Sequence, residues 1–382
     1  MKKKDFKISK AVLLAYLVFL SVNAMYFYFI TVNWEFVLSN DGGNAFGIFH
    51  FVLNGDSLKA YFPDLEMLIN GTSEQFRFGN SISYLYYALW LIFPYDLEDV
   101  VYLAFIANNI AIVVAYIFFS KIGREVLGLN MRYRWLYFLN PVLIFSSQMI
   151  SKEAFLFAGV AVICYYSMTR KFWIPALTSI FVLLVRSPFA LLWPLMRFVF
   201  LSRRKVVKVD RLFAFSILLL IFSGYYASLI PFDSYTELHD AGITRITIQY
   251  NYLYLGPLLL APLKLIASFY DLASTALWQS LDDGYVIVYY AINLPIVVFL
   301  ALRIRELIYL VTHPICVLRS SSGCIFSFVV IYFVIVIGNI FIHSRYMWPI
   351  MPILILLLYS IRHVSFSASL PYHLPGRGAR LV

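Results

Sequence analysis

Charge is scarce in this chain. Asp, Glu, Lys and Arg supply 13% of its 382 residues, about half the share of a soluble domain, while apolar residues reach 62%. That balance excludes a water-soluble globule. Cysteine is scarcer still: Cys164, Cys316 and Cys324 stand in no metal-ligand or redox spacing, so a zinc site, a redox pair and a disulfide scaffold are excluded together. No P-loop, no HExxH helix and no spaced DxD pair occurs, and Asp282 and Asp283 are adjacent rather than spaced. No metal or other cofactor is expected, and nothing argues for a nucleotide substrate.

What the chain has instead is aromatic and aliphatic bulk. Thirty-five Phe, 29 Tyr and apolar runs of 15 to 22 residues, separated by short polar clusters, predict an all-α polytopic transmembrane bundle. A barrel would show segments of about ten residues with alternating polarity. Ala11 to Val32 has almost no polar interruption, so helices are predicted. The net charge of +10 does not point to nucleic acid, because the Lys and Arg blocks lie beside apolar spans, as cytoplasmic loops do.

The N-terminal MKKKDFKISK is expected to stay cytoplasmic, with Ala11 to Val32 running outward as an uncleaved anchor. A cleaved signal peptide is the competing reading, with Val22 and Ala24 at the cleavage site, but the apolar run continues past them. Further spans are predicted at 100–119, 133–149, 154–168, 172–185, 188–201, 212–230, 286–302, 324–342 and 347–361, about ten in all. Two stretches, 82–93 and 252–269, are ambiguous: the first is short and the second carries Pro257 and Pro262. Letting either cross alone would put acidic loops inside and basic loops outside, so both are read as re-entrant or interfacial helices. The result is one integral membrane domain over 1–382, both termini cytoplasmic, with outer excursions at 33–99 and 231–285.

Candidate site residues follow from that sidedness. Only seven of the 30 Lys and Arg fall outside, and Lys152, Arg186, Arg245, Lys264 and Arg345 lie in or beside span ends or the re-entrant helices. Topology does not account for cations there, which makes them functional candidates. Arg186 separates FVLLV from PFALLW at a predicted outer turn; a cation at that depth costs a few kcal/mol unless paired, whether with an acid or with a ligand. Lys152 and Glu153 are chain neighbours that do not face each other on a helix, so at least one is expected to find a partner across the bundle. His343-Ser344-Arg345-Tyr346 interrupts two late apolar spans. Asp41, after the first span, is a candidate base, because low-dielectric surroundings raise a carboxyl pKa toward the operating pH. Tyr-rich SYLYYALW and QYNYLYLG offer faces for sugar rings, or an interfacial aromatic belt.

Asp41 after the first span, the turn from Asn140-Pro141 to Ser151-Lys152-Glu153, Arg186 after the next hairpin, and Arg345-Tyr346 before WPIMPILILLL resemble the GT-C membrane glycosyltransferases. Within them the pattern is most similar to O-antigen and exopolysaccharide polymerases of the Wzy type, and Arg245 to Gly256 fits the Arg-x10-Gly spacing of some of those proteins. The second copy of that motif is absent from the first outer excursion. The resemblance implies a GT-C-like fold in the bacterial inner membrane and transfer between undecaprenyl-pyrophosphate-linked glycans at the outer face, in O-antigen or exopolysaccharide synthesis. It implies Asp41, Arg245 and Arg345 as catalytic residues, with Lys152, Glu153, Arg186, His343 and Tyr346 binding substrate. It also implies membrane lipid, a chain-length regulator or other glycan-assembly proteins as partners, and no nucleic acid. Alternatives are a transferase using a polyprenyl-phosphate sugar donor and a lipid-linked oligosaccharide flippase.

Overall fold

A computed structural model of the chain describes residues 9–32, 65–71, 82–94, 99–132, 134–147, 152–169, 171–199, 208–228, 256–277, 284–338 and 346–368. Most of those residues are helical, and no strand occurs among them. The helices are α1 (Lys10–Val32), α2 (Ile82–Ile92), α3 (Asp99–Lys121), α4 (Pro141–Ser146), α5 (Glu153–Met168), α6 (Trp173–Arg186), α7 (Leu192–Val199) and α8 (Val209–Ser228). They continue with α9 (Ala261–Leu277), α10 (Gly284–Leu302), α11 (Ile304–Thr312), α12 (Pro314–Arg319), α13 (Gly323–Gly338) and α14 (Met351–Ala368). Short 3-10 turns at Arg134–Leu139, Ser187–Leu191 and Trp348–Ile350 join some of them.

Three stretches have the length and composition to cross a membrane: Lys10–Tyr28, Tyr102–Val126 and Trp173–Val199. The third is folded back on itself. Arg186 takes φ −158° and ψ 94°, which breaks the helix. Beyond the break, the Ser179 hydroxyl donates to the Ala190 carbonyl at 3.0 Å, and the rings of Phe172 and Trp193 lie 4.9 Å apart. In one straight helix Phe172 and Trp193 would be about 31 Å apart. The turn thus falls where the sequence places it, but the α6 arm is 14 residues, about 21 Å, short of a hydrocarbon layer of about 30 Å.

Two other segments differ from regular spans. Over the stretch read as 133–149, the described residues form a 3-10 turn and then the six-residue α4, because Pro141 has no N–H to continue the ladder and the Asn140 side chain accepts from the Val142 N–H at 3.1 Å. At 11 residues, α2 is about 16 Å long and too short to cross.

Outer helices turn apolar side chains outward: Leu14, Met25, Ile110, Leu177, Phe213 and Phe222 are among the exposed ones, an exterior suited to lipid rather than water. Helix α5 is the opposite case. Every residue from Leu156 to Cys164 is buried, so α5 is apolar all round and central, packed between α3 and α6. Its Gly159 lets α6 approach so closely that an added Cβ would collide with Val182 Cγ2. That approach carries the first residue of α5 toward the last residue of α6.

Candidate functional site

At that end of the bundle the Arg186 guanidinium comes to Glu153, with Nη1 3.9 Å from Oε1 and side chains 10% and 15% exposed. This is an ion contact beyond hydrogen-bond reach. The Arg186 guanidinium also lies 4.1 Å over the ring of Tyr346, and its buried Nη1 has no hydrogen-bond partner. Stacking on a ring occupies the flat face of a guanidinium and leaves the N–H groups along its edge for planar acceptors such as phosphate or carboxylate.

The stack is held from behind. Tyr332, on α13, donates its hydroxyl to the Tyr346 carbonyl at 2.7 Å. Phe189, from the turn just after Arg186, packs on the Tyr332 ring at 4.8 Å, closing a circuit of Arg186, Tyr346, Tyr332 and Phe189. Trp348 donates through Nε1 to Asn293 of α10 at 2.9 Å and so fixes the turn that follows Tyr346. Lys152, beside Glu153, is buried at the start of α5.

Of the sequence-derived candidates, the structure therefore brings Glu153, Arg186 and Tyr346 together, with Lys152 next along the chain. Asp41, Arg245, His343 and Arg345 lie outside the described residues. Lys264, on α9, is fully buried and donates from Nζ to the Ile337 carbonyl, in the last turn of α13, at 2.8 Å. Burial pulls its ammonium down to about 7. No group of three His, Cys, Asp or Glu side chains gathers among the described residues.

The sequence reading missed Tyr332, Asn293 and a second polar cluster. Asn23 of α1 donates to Asn109 of α3 at 3.0 Å and accepts from the Ser147 hydroxyl, while the Asn108 amide donates to the Ser147 carbonyl at 3.3 Å. The signal was there to use: a lone amide inside an apolar run is expensive in a membrane unless it faces the bundle interior. Residues 148–151 separate Ser147 from Lys152 in sequence, so the two polar clusters are near neighbours along the chain.

An all-helical membrane protein with a buried arginine–glutamate–tyrosine cluster is the class these observations define. The chain matches no protein-family model, no curated protein and no solved structure.

Proposed function

We propose that the chain is a multi-pass glycosyltransferase of the bacterial inner membrane, crossing about ten times with both termini cytoplasmic, that joins undecaprenyl-pyrophosphate-linked oligosaccharide repeat units at the outer face. The observation that carries this reading is the Arg186 guanidinium: buried, flat on Tyr346, and with Nη1 uncommitted. A charge pair at 3.9 Å without a hydrogen bond is a poor structural investment, since burying two ions costs several kcal/mol that only good geometry repays. An anion-binding role accounts for the arrangement better. In this scheme an acceptor sugar hydroxyl attacks the anomeric carbon of the donor glycan. The bond to pyrophosphate breaks and the lipid pyrophosphate leaves with the electron pair. Asp41 takes the hydroxyl proton, while Arg186, Arg245, Arg345 and Lys152 hold the departing charge. Glu153, His343 and Tyr346 line the donor side.

Deletion of the gene followed by gel analysis of surface glycan tests the reading. A mutant that keeps a single repeat and loses the long ladder supports a polymerase. Loss of all glycan assigns the protein to an earlier transfer or to flipping, and an unchanged ladder removes it from glycan synthesis.

A further inference from the structure

Between α10 and α13 the chain runs RIRELIYLVTHPICVLRSSS, a connecting segment by its hydropathy. It holds two short helices, α11 and α12, broken at His313-Pro314. Nine residues make α11 about 14 Å long, too short to cross a bilayer. One side of the segment is tied to the bundle: α11 packs on α14 and α12 on α13, and Leu310, Val317 and Leu318 are buried. The other side is apolar and bare. At about 100° per residue, Ile304, Ile308 and Val311 fall within about 60° of one another around the axis of α11. All three are exposed, and Val311, at 79%, is the most exposed large apolar side chain among the described residues. The exposed Leu302 of α10 precedes this stripe and the exposed Ile315 of α12 follows it.

The charges beside the stripe say what covers it. Arg303 is committed, holding Glu306 at 3.2 Å and lying 4.4 Å over the Tyr359 ring, and Glu306 is the one acid of the segment. Arg305 stands about 90° round the axis from the centre of the stripe, and Arg319 ends α12. Both are exposed, and neither forms an ion pair with another described residue. A two-fold pairing of this face with a second copy would bring such cationic edges together with no uncommitted acid from the segment to receive them. An anionic leaflet suits both features, its acyl boundary taking the aliphatic stripe and its phosphates the guanidinium groups. The stripe also follows directly on Val298 and Leu302 of α10, which belong to the same lipid-suited exterior as the other outward apolar side chains. We infer that α11 and α12 form an interfacial docking surface for anionic phospholipid, with Ile304, Ile308 and Val311 inserted at the headgroup boundary and Arg305 and Arg319 on lipid phosphate. The inference is independent of the glycosyltransferase reading and needs only that the chain is embedded in a bilayer.

The test places a nitrobenzoxadiazole fluorophore on Ile308→Cys, in full-length protein carrying Cys316→Ser and Cys324→Ser, in vesicles of phosphatidylcholine and phosphatidylglycerol in equal amounts. Val311→Cys serves if that variant does not fold. Quenching by doxyl-labelled phospholipid and not by iodide is expected, with doxyl phosphatidylglycerol more effective than doxyl phosphatidylcholine. Arg305→Gln is expected to lower the phosphatidylglycerol preference by up to about fivefold, and adding Arg319→Gln to lower it further. Quenching by iodide puts the face in water and overturns the inference. Quenching by neither agent puts it against protein, a second copy included, and overturns the lipid occupant. Equal quenching by the two lipids with both arginines present, or a preference unchanged when both are replaced, overturns the anionic specificity.

Discussion

Arg211 lies 5.3 Å over Phe198 and reaches that residue's carbonyl at 3.5 Å, Lys171 stands 5.7 Å over Tyr166, and Arg303 pairs with Glu306 at 3.2 Å while lying 4.4 Å over Tyr359. Arg186 is at the opposite end of α6 from Lys171, also on a ring, yet with its acid out of hydrogen-bond reach and Nη1 unsatisfied. Both ends use cations and aromatics. The difference is commitment: Arg211, Lys171 and Arg303 are satisfied locally or stay partly exposed, as membrane anchors are, whereas Arg186 combines a buried Nη1 without a hydrogen bond with an acid and a ring at close range; Arg124, at the basic end, shares the buried donor at its Nε. Function is therefore sought where a cation is poorly satisfied, not where cations are numerous.

The sharpest way to break this contrast is to truncate one cation at each end. Arg186→Ala is expected to abolish long-chain glycan in the gel ladder, and Arg211→Ala to leave it unchanged, at equal expression. Arg186→Lys, which keeps the charge but loses the planar fork and its stacking, is expected to shorten the ladder. Equal ladders from Arg186→Ala and Arg211→Ala would erase the distinction between the two ends.

Lys264 offers a second, thermodynamic test at a buried cation. Its folded pKa of about 7 lies below the ordinary lysine value of 10.5, so between those values the unfolded chain binds a proton that the folded chain does not. Stability is then lower on the acidic side of that window and rises with pH from about 7 toward 10, at up to about 1.4 kcal/mol per pH unit. The thermal midpoint in nanodiscs is expected to climb more steeply over that window in wild type than in Lys264→Met. Parallel curves would mean that Lys264 keeps an ordinary pKa.

Packing between the two ends is the third lever. Gly159→Val sets a branched side chain against Val182, and overpacking of this kind costs about 1–3 kcal/mol. The strain falls between α5 and α6, the helices that carry Glu153 and Arg186. A lower thermal midpoint is therefore expected together with a shortened ladder. A lower midpoint with a normal ladder would separate helix packing from the site.

How much of this was legible in the sequence follows from which signals are local. Apolar run length gave the helices, and the single Arg between FVLLV and PFALLW gave the break at Arg186, because both are properties of adjacent residues. The partner of Glu153 was only half legible: Lys152 and Glu153 cannot face each other, yet choosing Arg186 requires the antiparallel packing that Gly159 permits. Tyr332 was invisible as a support for Tyr346, since a hydroxyl in an apolar helix looks like any interfacial aromatic until the chain folds. The shortness of α6 and the 3-10 turn at Arg134–Leu139 also escaped the hydropathy pattern, which counts residues without their rise.

The smallest effect belongs to the basic end and is the most discriminating negative control. Lys171 is exposed and its ring contact is of the kind worth about 0.5–1 kcal/mol. Lys171→Gln removes that contact and one charge from a segment that also holds Arg170, so topology retains a positive loop and neither insertion nor the site should change. Thermal midpoint and ladder length are both expected to stay close to wild type. A large loss of chain growth from Lys171→Gln would place a functional cation at the end where Arg211 and Arg303 find local partners, and local satisfaction of charge would no longer separate Arg186 from them.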